Sequence, residues 1–309
     1  MEREKFRRDH MSRKIYSGAD NLPSGRANDQ ITEGCLCLEG GAWRGLYTLG
    51  VLDALMMNDI NFRTTVGISA GALSGIGYVA GQIGWGARVD LLYRHDPRYC
   101  GRRALLIERG ITGFKYLFNR ITTDLPLDRK RLKQTPRRLY VGATNLKTGQ
   151  IEYFEKGDCN IFLAASASAS VPYVSKPVQI NGELYLDGGC AEKIPYPFAK
   201  QSGEKKIVVV KTREREYRRK ETKHRTAHAM YRKYPEFVKA IDGANAKFNV
   251  MTEELENEEK AGHIFLIAPS EKVLVSRFEG DMEKLGELYW LGYHDLEEKL
   301  PALRAYLEV

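Results

Sequence analysis

The chain has 309 residues, 43% of them hydrophobic and 28% charged, which is enough apolar chain to bury a substantial core. This composition excludes a disordered protein and allows one large α/β domain or two smaller ones. The formal net charge of +8 is compatible with an anionic partner, either nucleic acid or lipid headgroups, and is too small to choose between them.

The cysteines and the apolar segments indicate a cellular compartment. The five cysteines are odd in number, and their one close pair, Cys35 and Cys37, has C-x-C spacing instead of the C-x-x-C spacing of zinc sites. These features favour a reducing, cytoplasmic compartment, with both thiols packed on one face of a strand. No apolar run reaches the roughly 18 residues of a membrane span, and the N-terminus lacks the apolar core of a secretion signal. We therefore expect membrane contact to be peripheral.

Strand-like and helix-like patterns alternate along most of the chain. Residues 1–33 are polar and carry charges of both signs, so we expect a polar N-terminal arm there. Apolar residues at helical spacing predict a helix from Leu46 to Met56, and small residues predict another from Ala70 to Gln82. Strands are predicted at residues 35–38, 64–68, 139–143, 151–154, 184–186, 206–210 and 264–267.

This alternation determines the expected architecture. Strands separated by helical stretches predict an α/β fold with a mainly parallel sheet covered by helices on both faces. We expect one domain over residues 34–270, followed by a helical tail, residues 271–309, that packs on it.

The segment after the second predicted strand has the pattern of a nucleophile elbow. Gly67, Ser69 and Gly71 form a G-x-S-x-G pentapeptide between a strand and a helix. Glycines on both sides allow a sharp turn that presents the serine hydroxyl above the strand end, near the N–H groups and positive dipole of the following helix. The pentapeptide alone is equally typical of a structural turn, so its interpretation depends on the neighbouring motifs.

A glycine-rich loop precedes this pentapeptide by one β-α-β unit. Residues 39–45, Glu-Gly-Gly-Ala-Trp-Arg-Gly, also lie between a strand and a helix, about 30 residues before Ser69. The right-handed crossover of such a unit brings both strand ends to the same edge of the sheet. The N–H groups of the loop are therefore candidates for an oxyanion hole beside the serine.

Cofactor binding is the alternative role for such a loop. A dinucleotide-binding loop would read G-x-G-x-x-G, but Ala42 occupies the place of the middle glycine, and the Gly-Lys-Ser/Thr of a P-loop is absent. His224 and His228 have the i, i+4 spacing of a helical metal site, but no third ligand accompanies them. We therefore expect neither a nucleotide cofactor nor a metal.

A third motif supplies a carboxylate. The apolar residues Leu184 to Leu186 predict a strand that ends at Asp187 and continues into Gly188 and Gly189. An isolated Asp-Gly pair is usually only a turn. Here it accompanies a candidate nucleophile, and a strand-end carboxylate on the same edge of the sheet is a candidate base for the serine proton.

Together these motifs resemble the patatin-like phospholipase family over about residues 35–212. The G-G-x-x-R-G loop, the G-x-S-x-G pentapeptide and the D-G-G turn occur in the family's order. The Ala/Ser-rich segment 164–172 is similar to the segment that precedes the family's aspartate, and segments 126–129 and 144–149 lie where such proteins carry similar sequence. The combination is far more specific than any one motif.

The resemblance implies a three-layer αβα fold and a Ser-Asp dyad that hydrolyses acyl esters of lipids. Ser69 would be the nucleophile and Asp187 the base. We expect the substrate to be a lipid or another acyl ester, whose identity the sequence does not specify. Candidates for lining an acyl channel are the large apolar residues Trp85, Tyr93, Leu117, Phe118 and Tyr173.

The resemblance also implies an oxyanion hole in the loop that contains Gly40, Gly41, Ala42 and Arg44. The N–H groups of Gly41 and Ala42 would donate to the oxyanion, and Arg44 would help to hold the loop. The family often has a third consecutive glycine where this chain has Ala42, so a methyl group crowds the loop.

Two other functions remain open at this point. Ser69, Asp187 and a later histidine, His263 or His294, would follow the chain order of an α/β-hydrolase triad. Alternatively, the same fold could belong to a lipid-binding or regulatory protein without catalysis.

Charge is segregated in the second half of the chain. Residues 211–239 contain 11 basic and 4 acidic residues, a net charge of +7, whereas residues 251–309 contain 6 basic and 14 acidic residues, a net charge of −8. The basic segment is a candidate for contact with an anionic membrane, and its alternative role is a solvated face that pairs with the acidic tail. No recognition motif supports nucleic acid binding, and the sequence does not indicate an oligomeric state.

Overall fold

Strands occur at all seven of the places that the apolar pattern predicts. The computed structural model describes residues 14–222 and 224–308, so the first 13 residues of the expected arm lie outside the described part. The strands are, in chain order, β1 (Gly25–Arg26), β2 (Thr32–Leu38), β3 (Phe62–Ile68), β4 (Gln82–Ile83), β5 (Arg138–Asn145), β6 (Ile151–Glu155), β7 (Val178–Ile180), β8 (Glu183–Asp187), β9 (Ile207–Val210) and β10 (Ile264–Ile267).

Helices separate most of these strands. The α-helices are α1 (Gly45–Met57), α2 (Ala70–Val79), α3 (Trp85–Tyr93), α4 (Arg102–Glu108), α5 (Phe114–Tyr116), α6 (Thr122–Asp124), α7 (Arg129–Gln134), α8 (Ile161–Ser168), α9 (Tyr196–Gln201), α10 (Arg225–Met230), α11 (Pro235–Lys260) and α12 (Met282–Leu307). A π-helical turn, Leu117–Ile121, connects α5 to α6, and 3-10 turns follow β2 at Ala42–Arg44 and β8 at Gly188–Cys190. Among the described residues, no helix is long and apolar enough to cross a membrane.

Eight of the described strands form one sheet, in which β10, β9, β2, β3 and β5 are neighbours in that order and all parallel. The strands β6 and β8 run antiparallel to β5, and β7 runs antiparallel to β8. Helices cover both faces of this sheet. The predicted α/β fold, three αβα layers around a mainly parallel sheet, is therefore confirmed.

Alternate residues of the central strand β2 explain the two helical layers. Leu36 and Leu38 are buried in the larger apolar core together with α1 and α12, and these two helices pack against each other. Cys35 and Cys37 are buried on the opposite face, in a second core that contains residues of α9 and α11. The prediction that both thiols share one face of a strand is confirmed.

Two strands of opposite direction meet end to end at the carboxyl edge of the sheet. The strand β3 pairs with residues 138–142 of β5, and β8 pairs with residues 143–145. Because β6 pairs with residues 140–144 and each strand has only two edges, β3 and β8 must share the other edge of β5. The last residues of the two strands, Ile68 and Asp187, therefore lie opposite adjacent residues of β5.

The structure differs from the sequence expectations in two places. The helix predicted to reach Gln82 ends at Val79, because Gly81 has a positive φ of 67° and Gln82 pairs with β1. The described part of the N-terminal arm packs on the domain: Leu22 is buried, and the indole N–H of Trp290 in α12 donates to the Tyr16 hydroxyl (3.2 Å). Local polarity did not reveal these contacts, which depend on residues far along the chain.

Candidate active site

Ser69 occupies a sharp turn between β3 and α2. Its φ of 54° and ψ of −118° are unusual for a residue with a side chain and are typical of a nucleophile elbow. The flanking glycines make the turn possible, because a Cβ on Gly67 would lie 2.5 Å from the carbonyl carbon of Gly71. A Cβ on Gly71 would in turn lie 2.5 Å from the backbone oxygen of Leu38. The turn leaves Ser69 only 7% exposed.

A buried serine that the sequence reasoning missed holds this turn. The backbone N–H of Ser69 donates to Oγ of Ser168 (2.7 Å), and that hydroxyl donates to the backbone oxygen of Gly142 in β5 (2.6 Å). Ser168, the last residue of α8, thus connects the elbow to the sheet. The Ala/Ser-rich segment 164–172 indicated that this part of the chain resembles the family, but its repetitive sequence did not distinguish Ser168 from the neighbouring serines.

Ser69 and Asp187 are in direct contact. The Ser69 hydroxyl donates to Oδ2 of Asp187 (2.8 Å), and Oδ1 accepts the backbone N–H of Gly189 (2.7 Å). Burial raises the pKa of Asp187, and the hydrogen bonds from Gly189 and Ser69 act in the opposite direction. In the candidate base, Oδ1 is therefore occupied by the Gly189 N–H, and Oδ2 faces the hydroxyl of the candidate nucleophile.

The glycine-rich loop follows β2, the neighbour of β3, and lies directly beside Ser69. A Cβ on Gly40 would lie 3.2 Å from Cβ of Ser69, a tight contact that glycine avoids. The Gly40 N–H donates to the backbone oxygen of Lys193 (3.0 Å), which leaves it unavailable to a substrate. Within the described residues, the N–H groups of Gly41 and Ala42 donate no hydrogen bond. Ala42 has a φ of 50°, a conformation that favours glycine.

Arg44 is buried beneath this loop, at 5% exposure. Burial and, to a smaller extent, the nearby Arg213 lower the pKa of Arg44 to about 10, whereas the carboxylate of Glu39 acts to raise it. That carboxylate accepts the backbone N–H of Thr212 (2.6 Å). The guanidinium of Arg44 forms no hydrogen bond to the loop within the described residues, so its effect on the loop is that of a buried positive charge.

The cleft around Ser69 has two lobes, each with about 930 Å³ of free space including the part open to solvent. One lobe is apolar, and three of the five residues proposed for an acyl channel, Trp85, Leu117 and Phe118, line it. Tyr173 lies in the other lobe, and Tyr93 is buried in the core away from both. The apolar lobe is further lined by Leu49, Leu73 and Val89.

The second lobe is polar and carries the candidate catalytic groups. Asp187 and the glycine-rich loop form one wall, and Lys193, Arg219 and Arg277 contribute positive charge. Ser69, Ala42 and Arg277 line both lobes, so the hydroxyl of Ser69 lies at their junction. Such an arrangement suits a substrate with one long apolar part and one polar part.

The histidines considered for a triad lie elsewhere. The His263 and His294 side chains are 68% and 65% exposed and bond to Glu258 (2.7 Å) and Glu297 (3.0 Å). Neither lines the cleft that contains Ser69. In the part of the chain that the structure describes, no group of three or more His, Cys, Asp or Glu side chains is arranged to hold a metal ion.

The basic segment 211–239 is partly neutralised by helix α11. Arg215 forms an ion pair with Glu259, and Arg218 forms one with Glu256 (2.9 Å). Both acids belong to the acidic region 251–309. These pairs correspond to the alternative in which the two oppositely charged regions bind each other.

Comparisons with known proteins agree with the fold and the motifs. The model of the family described as patatin-like phospholipase matches residues 36–200, and that of a domain of unknown function, DUF6363, matches residues 234–308. The uncharacterized protein YjjU of Escherichia coli K12 is 28% identical over 182 residues, which are 57% of this chain and 51% of that protein. The probable lipid hydrolase 463L of invertebrate iridescent virus 6 is 28% identical over 188 residues, 53% of this chain and 62% of that protein.

The chain thus spans little more than half the length of these two relatives. Among solved structures, VipD from Legionella pneumophila aligns with 94% of this chain and 71% of its own, at 15% identity and a TM-score of 0.48. The family model covers more than half of the chain, including the glycine-rich loop, the serine elbow and the Asp-Gly-Gly turn. The chain belongs to the patatin-like phospholipase family.

Proposed function

We propose that this protein is a lipid acyl hydrolase that cleaves carboxylic ester bonds with Ser69 as nucleophile and Asp187 as base. The observation that carries the proposal is the 2.8 Å hydrogen bond from the Ser69 hydroxyl to Asp187, at the junction of an apolar and a polar lobe. The name of the viral relative, probable lipid hydrolase, is consistent with this activity.

In the first half of the reaction Ser69 becomes acylated. Its oxygen attacks the ester carbonyl carbon while Asp187 accepts the hydroxyl proton. The N–H groups of Gly41 and Ala42, which donate no other hydrogen bond within the described residues, would stabilise the negative oxygen of the tetrahedral intermediate. The proton on Asp187 then passes to the departing alcohol oxygen as the C–O bond breaks.

In the second half water releases the acyl group. A water molecule loses a proton to Asp187 and attacks the acyl carbon, the bond to Ser69 oxygen breaks, and that oxygen takes the proton back. A carboxylate of ordinary pKa, about 3.9, is a weak base for these steps. The raised pKa of Asp187 makes it a stronger base, which supports its assignment to this role.

The two alternatives receive less support from the site. A Ser-Asp-His triad requires a histidine next to Asp187 or Ser69, whereas His263 pairs with Glu258 and His294 with Glu297, outside the cleft. A lipid-binding protein without catalysis has no need of a serine in a strained backbone conformation with its hydroxyl bonded to a buried carboxylate.

Substitution of the dyad tests the proposal. We expect Ser69→Ala to abolish labelling by a fluorophosphonate probe, and Ser69→Ala and Asp187→Asn each to lower kcat on a p-nitrophenyl acyl ester by about 10³-fold or more. Ser24→Ala and Asp20→Asn, at exposed positions, are matched controls that should keep full activity. Undiminished activity in either dyad variant would contradict the mechanism, and loss of all turnover in a His263→Ala, His294→Ala variant as well would favour the triad.

A further inference from the structure

Lys193 connects the two loops that form the candidate active site. Its backbone oxygen accepts the N–H of Gly40 (3.0 Å), the first glycine of the glycine-rich loop. Its Nζ donates to the backbone oxygen of Gly189 (2.5 Å), the last residue of the Asp-Gly-Gly turn. One residue therefore holds one loop through its main chain and the other through its side chain.

A series of hydrogen bonds leads from Lys193 to the candidate nucleophile. Gly189, whose oxygen accepts from Lys193, donates its own N–H to Oδ1 of Asp187 (2.7 Å). Oδ2 of the same carboxylate accepts the Ser69 hydroxyl (2.8 Å). The stem of Lys193 also lies against the turn, because a Cβ on Gly189 would be 3.7 Å from Cγ of Lys193. The orientation of Asp187 therefore depends on a turn that Lys193 holds in place.

The ammonium of Lys193 and the carboxylate of Asp187 also interact through space. The charge of Lys193 acts to lower the pKa of Asp187, and the charge of Asp187 acts to raise the pKa of Lys193. No carboxylate of the described residues forms an ion pair with Lys193, whose one hydrogen bond goes to Gly189. The two charges thus act on each other across the turn, without direct contact.

Two arginines complete the charged surroundings of this pair. Burial, then Arg219 and to a smaller extent Arg277, lower the pKa of Lys193 to about 8, so that its ammonium is positive below about pH 8. Arg277 also acts to lower the pKa of Asp187, but less than Lys193 does. Both arginines line the polar lobe together with Lys193 and Asp187.

The other titratable neighbours add no free negative charge. Burial raises the pKa of the Cys190 thiol, which is therefore neutral at neutral pH. The carboxylate of Glu192 accepts the Tyr153 hydroxyl and does not line the polar lobe. Asp187 is therefore the negative group of the lobe on which the charge of Lys193 acts.

A hydrogen bond to a backbone oxygen does not by itself explain a charged side chain at this place. A partly buried ammonium loses hydration, and Arg219 and Arg277 add repulsion. A neutral donor of similar length would hold the Gly189 oxygen without either penalty. The favourable interaction that compensates the ammonium is the one with Asp187, which indicates that the charge itself has a role there.

We propose that Lys193 is a positioning residue of the dyad, whose charge keeps Asp187 ionised and whose hydrogen bond fixes the turn that carries Asp187. The proposal rests on the function proposed above, because it takes Asp187 to be the base. Only an ionised carboxylate accepts the Ser69 proton, and burial favours the protonated form. Lys193 opposes burial and extends the range of pH over which the base is available.

Three substitutions separate the charge from the hydrogen bond. Lys193→Gln keeps a donor and removes the charge, Lys193→Met removes both, and Lys193→Arg keeps the charge. The readout is the acid limb of the pH profile of kcat/KM for a p-nitrophenyl acyl ester, where activity falls as Asp187 becomes protonated. We expect the Gln and Met variants to move this limb to higher pH by about one unit, and the Arg variant to leave it in place.

The direction and shape of this change distinguish the two roles. Removal of a positive charge raises the pKa of Asp187, so kcat/KM should be about 10-fold lower on the acid limb and nearly unchanged well above it. Loss of the hydrogen bond alone would lower kcat equally at every pH. A limb that stays in place in the Gln variant would overturn the proposal, whatever happens to kcat. If Lys193→Met does not fold, Lys193→Gln alone decides the test.

Two further variants locate the charge. Lys205→Gln is the matched control, because Lys205 is exposed and lines neither lobe, and it should leave the limb in place. Arg277→Gln should move the limb in the same direction as Lys193→Gln by a smaller amount. Equal shifts in the Lys205 and Lys193 variants would mean that the net charge of the protein sets the limb, and would overturn the proposal.

Direct titration of Asp187 distinguishes this proposal from the proposed function, because it requires no turnover. In protein labelled with carbon-13 at the aspartate carboxyl groups, the NMR signal of Asp187 is the one that Asp187→Asn removes. We expect its midpoint to be about one unit higher in Lys193→Gln than in the parent protein. This shift in a protein that hydrolyses no ester would support the role of Lys193 and contradict the proposed function. An unshifted midpoint in an active enzyme would overturn the role of Lys193 alone.

Discussion

The hydroxyl of Ser168 is predicted to be required for both stability and catalysis, although it is not expected to touch substrate. It accepts the backbone N–H of Ser69 at 2.7 Å and donates to the backbone oxygen of Gly142 at 2.6 Å. Ser168→Ala removes only this oxygen, in a place that is fully buried. The perturbation therefore removes the side-chain link from the Ser69 N–H to β5 and leaves the pairing of β3 with β5 in place.

The magnitude follows from the two groups left unpaired. An N–H donor and a carbonyl acceptor lose their partner in the interior, at about 1–3 kcal/mol each, so we expect a loss of roughly 2–6 kcal/mol in the free energy of unfolding. The elbow itself is strained, with Ser69 at a φ of 54°. Without the bond the turn relaxes, and a shift of about 1 Å in the hydroxyl lowers kcat by about 10²-fold.

Ser166→Ala is the matched control for this substitution. Ser166 lies on the same helix, and its hydroxyl donates only to the backbone oxygen of Phe162 one turn earlier (2.7 Å). Urea unfolding gives the stability of both variants, and p-nitrophenyl ester hydrolysis together with the rate of fluorophosphonate labelling gives the reactivity of Ser69. If Ser168→Ala matched Ser166→Ala in both measurements, the hydroxyl would not hold the elbow and the reasoning would be refuted.

Two further outcomes are expected. Ala42→Gly should keep kcat and change unfolding free energy by less than about 1 kcal/mol, because relief of the positive φ offsets the added chain entropy, whereas Ala42→Val should lower kcat at least 10-fold. Because burial raises the pKa of Asp187 and the ionised form is the base, kcat/KM should fall with decreasing pH through a value above the ordinary 3.9, and a flat profile down to about pH 4 would contradict this.

The positions of the central strands could be predicted because each is a short apolar run between glycines or polar turns. Their direction could not, and β8 shows why. An apolar run has the same pattern in either direction, so Leu184 to Leu186 predicted a strand without indicating that it runs antiparallel to β5. Ser69 and Asp187 come together where β3 and the antiparallel β8 abut along β5, an arrangement that the apolar pattern does not specify.

Within the site, predictability depended on how local each signal is. Ser69 and the glycine-rich loop belong to contiguous motifs with a fixed backbone shape, so the combination of these short motifs predicts them from the sequence. Ser168 is one of several serines in a repetitive segment, and only the position of the elbow N–H distinguishes it. Arg219 and Arg277 carry no motif and come together only when two distant segments fold onto the same sheet edge.

The basic segment 211–239 was interpreted from the sequence either as a membrane contact or as a partner of the acidic region 251–309. Its ion pairs with α11 have a further effect, because they position the arginine that follows them. Arg215 and Arg218 pair with acids of α11, and these pairs fix the course of the segment after β9. Arg219 follows immediately, with its guanidinium over Phe248 and its Nε left unpaired in the polar lobe. Neutralised neighbours therefore position a charge that is not neutralised.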